Sequence, residues 1–363
     1  MNSKERVIKT LNHKKPDRVP LDGWFTNMSW QKLKDYFKTS DEEEILTKLG
    51  IDFRPVVVEP APDFRREAKY LNFIVEGTTF SCSDYIEREV GERLYEDEWG
   101  IQIKLNKDGK NWGYAYHPLQ DLTFKNLKIP DLSLPGRLDK AKEKIKKHQD
   151  KFIFAGVSTV FRRGWLLTGF SKFLEATITN KPFVEKLIDI LLEYNIKESE
   201  MLVDAGVNMI ELLGDLGTEE SLFLSPKTWR EIFKPRMKAL IDSVKRKKKN
   251  VYFFLHTDGM VESIIPDLIE IGIDVLNPIQ PECMDPLRIK RLFGDKLTLH
   301  GTMSLQKTFS FGKPDDVIAE AKSRIEHCGY NGGLTLAPSN TLTHNIPVEN
   351  IIAFYDYVQE FKL

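Results

Sequence analysis

The sequence predicts a mixed α/β fold, a (β/α)8 barrel, and three observations carry that expectation. Eight short runs rich in β-branched and aromatic residues are separated, over most of the chain, by amphipathic helical stretches. The runs are apolar almost throughout, as strands covered on both faces must be. Most of them end in a polar residue, which is where a barrel presents its chemistry.

Taken in order, the first run is Arg18-Val-Pro-Leu-Asp-Gly-Trp-Phe25. Phe53-Arg-Pro-Val-Val-Val-Glu59 and Phe152-Ile-Phe-Ala-Gly-Val-Ser158 follow. Next are Val207-Asn-Met-Ile-Glu-Leu-Leu213, Val251-Tyr-Phe-Phe-Leu-His256 and Ile273-Asp-Val-Leu-Asn277. Leu297-Thr-Leu-His300 and Gly333-Leu-Thr-Leu-Ala337 complete the set. Eight such runs favour a closed barrel over an open doubly wound sheet. No Gly-x-Gly-x-x-Gly fingerprint or phosphate loop follows any of them.

Between the runs, Phe183 to Ala205 places Val184, Leu187, Ile188, Leu191 and Leu192 at helical spacing and stops at Gly206. Helices are likewise expected over Thr228–Val244, Val261–Ile271, Pro314–Cys328 and Val348–Phe361. The basic run Lys245 to Lys249 reads as a solvated helix end, where cations suit the helix dipole.

Residues from about 72 to 134 break the pattern. Thr78–Tyr85, Arg93–Lys104 and Gly113–Pro118 alternate with period two, with Asn106, Asp108 and Gly109 as turn residues, so antiparallel hairpins inserted into the barrel are expected. With 363 residues the chain fits one barrel domain spanning 1–363 with this insertion.

A formal net charge of −1 argues against nucleic-acid binding. The amino terminus has no apolar leader, and no run is long and apolar enough to span a membrane. Three scattered cysteines, Cys82, Cys283 and Cys328, make no disulfide framework. A cytoplasmic protein is the expectation.

Polar residues at the strand ends and in the loops beyond them form the candidate site. They are Asp22, Glu59, Ser158, Glu211, Asp215, His256, Asp258, Asn277, Gln280, His300, Ser339 and Asn340, with His344 a little further on. His256-Thr257-Asp258-Gly259 is the sharpest local feature: a strand delivers a histidine, then an acid, then a glycine that permits a tight turn. Such a histidine serves as a zinc ligand, a general acid/base or a hydrogen-bonded strand terminus. Glu211, ending the preceding strand, is a second candidate metal ligand, and Cys283 a weaker third, since lone cysteines are more often small buried hydrophobes. Arg162 and Arg163 are placed to hold an anion or a structural ion pair, and Trp24 and Trp165 to form an apolar pocket wall. For Ser339 and Asn340, turn chemistry and ligand contact explain the residues equally well.

Several stretches together resemble the uroporphyrinogen decarboxylase superfamily. They are Ser3–Pro20, Gly214-Asp-Leu-Gly-Thr218 with Leu224–Pro235, His256-Thr-Asp-Gly259 with Ile264–Pro281, His300-Gly-Thr-Met303, Phe311–Val317, and Gly332–Asn340 with Ile346–Ile351. The resemblance covers nearly the whole chain and implies a TIM barrel and a homodimer. It also implies one of two activities. Decarboxylation of uroporphyrinogen calls for an arginine-rich segment after the first strand to hold many carboxylates. Here that place reads Leu21-Asp-Gly-Trp-Phe-Thr-Asn-Met-Ser-Trp30, without arginine.

The other branch moves methyl groups to or from a cobamide carried by a corrinoid protein. Its members acting on coenzyme M use a His-x-Cys zinc motif and a late cysteine; here the matching positions are His256 and Asp258, and the late loop Ala337–Asn340 has no cysteine. The resemblance therefore implies a methyltransferase that demethylates a small methylated or methoxylated substrate onto a corrinoid (cobalamin) protein. Zinc, Glu211 and His256 would form the metal site. Asp22, Asp215 and Asp258 would be catalytic, and Trp24, Ser158, Arg162, Asn277, Gln280, Ser339 and Asn340 would bind substrate. The alternative is a decarboxylase or lyase acting on a smaller, less anionic substrate, with Asp22 or Asp215 as acid/base.

Overall fold

A computed structural model describes residues 1–70, 86–107 and 112–363. The runs beginning at Phe53, Phe152, Val207, Val251, Ile273, Leu297 and Gly333 form β1 (Phe53–Val56), β7 (Phe152–Ser158), β8 (Met209–Leu213), β9 (Tyr252–His256), β10 (Val275–Asn277), β11 (Thr298–His300) and β12 (Leu334–Thr335). They make one seven-stranded parallel sheet in the order β1-β7-β8-β9-β10-β11-β12, a TIM-barrel-like arrangement. All seven residues of β7 are buried, as its unbroken apolar sequence requires.

The first expected run forms isolated parallel bridges rather than a named strand, at Leu21 with Leu336 and at Phe25 with Leu342. Its backbone bonds to the residues that adjoin both outer strands of the sheet, Asp52 before β1 and Leu336 after β12. The Asp22 N–H donates to the Leu336 carbonyl (3.0 Å), the Leu336 N–H to Pro20 (2.9 Å), and the Asp52 N–H to Leu21 (2.9 Å). Asp52, fully buried, also accepts from the Leu21 N–H (2.9 Å), Arg6 (2.7 Å) and Arg18 (2.9 Å), so a charged knot ties this segment to the start of β1.

Helices cover the outside of the sheet. The helix Lys181–Ala205 buries Val184, Leu187, Ile188 and Leu191 and ends at Gly206 in the left-handed conformation. Two expected helices are divided. Thr228–Val244 is met by Pro226–Ile232 and Lys234–Lys247, and Val261–Ile271 by a 3₁₀ turn, Glu262–Ile264, followed by Ile265–Ile271. Each second segment has a proline in its first turn, Pro235 or Pro266, where the missing N–H and the ring deny continuity with the preceding turn. Pro314–Cys328 and Val348–Glu360 form as expected. The basic run ends the helix Lys234–Lys247, with Lys247 paired to Asp204 at 2.6 Å.

The insertion is a five-stranded antiparallel sheet of β2 (Ala68–Tyr70), β3 (Ile86–Gly91), β4 (Leu94–Asp97), β5 (Gln102–Leu105) and β6 (Trp112–Tyr116). It opens a few residues before the expected boundary, and the stretch after Tyr116 is mostly turns. The expected hairpin at Thr78–Tyr85, the turn residues Asp108 and Gly109, and Cys82 lie outside the described residues. The sheet is anchored to the helical layer through Trp99, which meets Tyr194 edge-on at 4.8 Å and carries the Arg163 guanidinium over its face at 4.5 Å.

The parallel register sets the site. Ser158 lies beside Leu213, Leu213 beside His256, and His256 beside Asn277, while His300 follows the Leu276–Leu299 pair on the next strand. One sheet edge thus gathers the polar strand ends. Among the described residues, no helix is long and apolar enough to cross a membrane.

Candidate active site

His256 ends β9 with its side chain mostly buried. The chain then turns sharply through Thr257-Asp258-Gly259. Gly259 has φ of +87°, and a Cβ there would come within 2.3 Å of the Thr218 carbonyl, so the turn admits no larger residue without displacement. Its N–H donates to Gln280 Oε1 (3.3 Å), and the Asp258 N–H donates to Asp215 Oδ1 (3.1 Å). Through these bonds the loops after β8, β9 and β10 hold one another.

Three acceptor groups converge here. Single donor atoms of Asp215, His256 and Asp258 all lie within 4.8 Å of one another, with His256 Nε2 at 3.8 Å from Asp215 Oδ1. Asp258 is held from the far side by the Asn340 amide, which donates to Oδ2 at 2.9 Å. Burial pushes His256 down, but Asp258, then Asp215 and Glu211, with the Asn277 hydrogen bond, outweigh it and its pKa stands above the ordinary 6.5. Burial, with Asp215 close by, raises Asp258 above the usual carboxylate value despite His256 and Asn340. A cation seated among the three would relieve the carboxylate repulsion and satisfy the imidazole lone pair at once.

Behind His256 lies a file of buried polar side chains. His256 Nδ1 is 2.6 Å from Asn277 Oδ1, Asn277 Nδ2 is 2.7 Å from His300 Nδ1, and His300 Nε2 is 3.2 Å from Asp22 Oδ2. Trp24 lies against both rings, edge-on to His256 at 5.6 Å and stacked on His300 at 6.1 Å. Beside Asp258 lies an open cavity of about 520 Å³, lined by Asp258, Gln280, Ser339, Asn340, Glu219 and Thr26 among others, and among the described residues no lysine or arginine lines it.

The expected residues therefore divide. Asp215, His256 and Asp258 come together; Gln280, Ser339 and Asn340 line the cavity with Asp258; Asn277, Trp24 and Asp22 stand behind His256. Glu211 is buried on β8 and contributes to the charge felt by His256, but it is not one of the three converging groups. Cys283 also stands apart from them, its thiol pushed up to about 11, first by burial. Ser158 accepts from Arg162 at 3.1 Å, and neither lines the cavity. Glu59 is held by Lys140 at 3.0 Å, and Arg163 pairs with Asp97 at 3.9 Å.

Sequence reasoning named Asp215 and Asp258 but did not group them with His256 as ligands. The signal was available: Asp215 follows the β8 end as closely as Asp258 follows the β9 end, on adjacent strands. Gln306, in the short π-helix Leu305–Phe309, and Thr341, in the loop after β12, also line the cavity and carry no distinguishing motif.

Residues 123–361 match the family described as uroporphyrinogen decarboxylase (URO-D). Two curated relatives from Methanosarcina barkeri are both named methylcobamide:CoM methyltransferase MtaA. One is 28% identical over 188 residues, spanning 52% of this chain and only about half, 52%, of the relative. The other, from strain Fusaro, is 25% identical over 356 residues, 96% of this chain and 95% of the relative. The solved structure of a methyltransferase from Methanosarcina mazei matches 99% of both chains with a TM-score of 0.71 and 21% identity, a likeness of fold.

Proposed function

Because this chain belongs to the uroporphyrinogen decarboxylase family, we propose that it is the methyltransferase component that demethylates a small methylated or methoxylated compound onto the cobamide of a corrinoid protein. The observation that carries this reading is the convergence of Asp215, His256 and Asp258 beside the cavity. The likeness to proteins named as methylcobamide methyltransferases supports a corrinoid reaction. The closed eight-strand barrel, the single domain over 1–363, a homodimer and a cytoplasmic location belong to the same proposal.

The donor set suits zinc: one imidazole nitrogen and two carboxylates, with the remaining positions left for substrate or water. Bound there, the metal would act as a Lewis acid on the heteroatom that carries the methyl group. Two oxygen ligands do not supply the thiolate environment suited to a thiol acceptor, so an oxygen- or nitrogen-bound methyl donor fits this chain better.

The chain's own residues have separable tasks. Asn340 holds Asp258 by its amide, so the carboxylate is fixed before any ligand arrives. Gln280 and Ser339 give the cavity polar atoms that orient a substrate, while Trp24 shields the inner face of His256. With no basic side chain among the described residues of its lining, the cavity offers a polyanionic porphyrinogen no fixed cation there. The open side of the cavity would leave the reacting group accessible to a corrinoid protein docked over the strand ends.

The test is a reconstitution. Purified protein, a partner carrying cob(I)alamin and a panel of methoxylated and methylated donors should yield methylcobalamin, and His256→Ala should abolish it. No transfer across the panel would count against the proposal, and carbon dioxide release without any corrinoid would favour the decarboxylase instead.

A further inference from the structure

The hydrogen-bonded file behind His256 has a direction, and the direction is set at its buried end. We infer that Asp22 and His300 are positioning residues that fix His256 in the tautomer whose Nε2 lone pair faces Asp215 and Asp258.

The file of hydrogen bonds begins at the Asp22 carboxylate. Asp22 Oδ1 accepts from the Gly23 N–H at 2.8 Å, and Oδ2 faces His300 Nε2 at 3.2 Å. An ionised carboxylate only accepts, so His300 Nε2 carries a proton. In the neutral ring Nδ1 is then an acceptor, and Asn277 Nδ2, at 2.7 Å, donates to it. The amide is thereby turned so that its oxygen points at His256 Nδ1, 2.6 Å away, and that nitrogen must donate. In the neutral His256 ring Nε2 is then the nitrogen without a proton, on the side where Asp215 Oδ1 lies 3.8 Å away. A reversed file would place a proton on Nε2 and remove its capacity as a ligand.

The surroundings preserve this arrangement. His300 is 1% exposed, stacked by Trp24 and met edge-on by Phe254 at 5.0 Å and Phe53 at 6.1 Å. Gly301 clears the space for the relay amide: a Cβ there would lie 2.6 Å from Asn277 Nδ2. The Asn277 carbonyl accepts from the Thr257 N–H at 2.7 Å, which joins the relay residue to the turn bearing Asp258. The consequence for metal affinity rests on the metal site proposed above; the tautomer does not.

The experiment separates the two. In metal-free protein labelled with 15N-histidine, at a pH high enough for the His256 ring to be neutral and with its signal assigned by His256→Gln, the ring should be protonated at Nδ1 and bare at Nε2. Asp22→Asn keeps the shape but supplies a group that both donates and accepts, so His256 should become a mixture of tautomers. Binding of Zn²⁺, measured by competition with a chelator, should weaken about 10- to 100-fold in Asp22→Asn and His300→Phe. His300→Gln, whose amide preserves the direction from Asn277 to Asp22, should restore most of that loss, which a merely structural role would not predict. If His300→Phe does not fold, Asp22→Asn carries the test. An Nε2–H tautomer in the wild-type protein, or a tautomer indifferent to Asp22→Asn, overturns the inference. Wild-type protein with the Nδ1–H tautomer and no Zn²⁺ binding supports the relay and removes the metal reading instead.

Discussion

Asp52→Ala is expected to be among the costliest single changes outside the site, and its magnitude follows from the three groups that donate to the carboxylate. The carboxylate is fully buried and is shared by Arg6 (2.7 Å), Arg18 (2.9 Å) and the Leu21 N–H (2.9 Å). Removing one partner of a buried ion pair costs about 3–5 kcal/mol, because the other charge is left uncompensated. Here Arg6 keeps Asp17 at 2.7 Å, whereas Arg18 keeps only the carbonyls of Val19 and Gly50. One guanidinium rather than two is stranded, which puts the cost near the lower end, about 3 kcal/mol. With an unfolding entropy of about 2.1 cal/mol/K per residue over 363 residues, the melting temperature should fall by about 4 °C. Asp17→Ala is the control: its side chain is 38% exposed, so the loss should stay under about 1 kcal/mol, near 1 °C. Thermal melts of the two variants followed by circular dichroism decide the matter. Equal shifts, or an Asp52→Ala shift of no more than about 1 °C, would refute the claim that buried charge closes the first segment onto β1.

Asp17 also predicts an acid-side effect. Burial alone would raise it, but the Arg6 hydrogen bond and charge hold it at about 2, below its ordinary 3.8. Its contribution to stability is thus present above 3.8 and lost as pH falls towards 2, and Asp17→Ala should flatten the melting-temperature profile in that window. Cys283, a neutral thiol with its pKa near 11, should alkylate slowly at neutral pH, and Cys283→Ser should retain metal; loss of metal would make the cysteine a ligand after all. Gly259→Ala should both lower the melting temperature and weaken Zn²⁺ binding, since the new Cβ must displace the Thr218 carbonyl and carry Asp258 with it. A variant binding Zn²⁺ as tightly as wild type would show that the turn does not position the carboxylate.

The strands were readable because parallel strands buried on both faces are apolar along their whole length. β7, β8 and β9 stand out for that reason, and so does the polar residue that ends β9. The first segment was read as a strand but makes only isolated bridges. The division of the helices at Pro235 and Pro266 was legible in principle, since proline in a helical pattern marks a new first turn.

The site was legible as a set of strand ends and less so as a constellation. His256 and Asp258 share one motif, but the approach of Asp215 depends on the neighbouring β8 loop folding back to accept the Asp258 N–H. Glu211 looked equivalent from its place at the end of an apolar run, yet strand pairing puts it beside Phe254, short of the strand end at His256. The role of His300 follows from partners 23 and 278 residues away in the chain, which no local pattern contains.

The measurement that tests the central claim most directly is the metal content of the purified protein and of its ligand variants. Wild-type protein loaded with Zn²⁺ and dialysed should retain one zinc per chain, and His256→Ala and Asp258→Ala should retain almost none while melting as folded proteins. Wild-type protein that binds no divalent cation, or variants that keep zinc undiminished, would contradict the assignment of Asp215, His256 and Asp258 as the metal site.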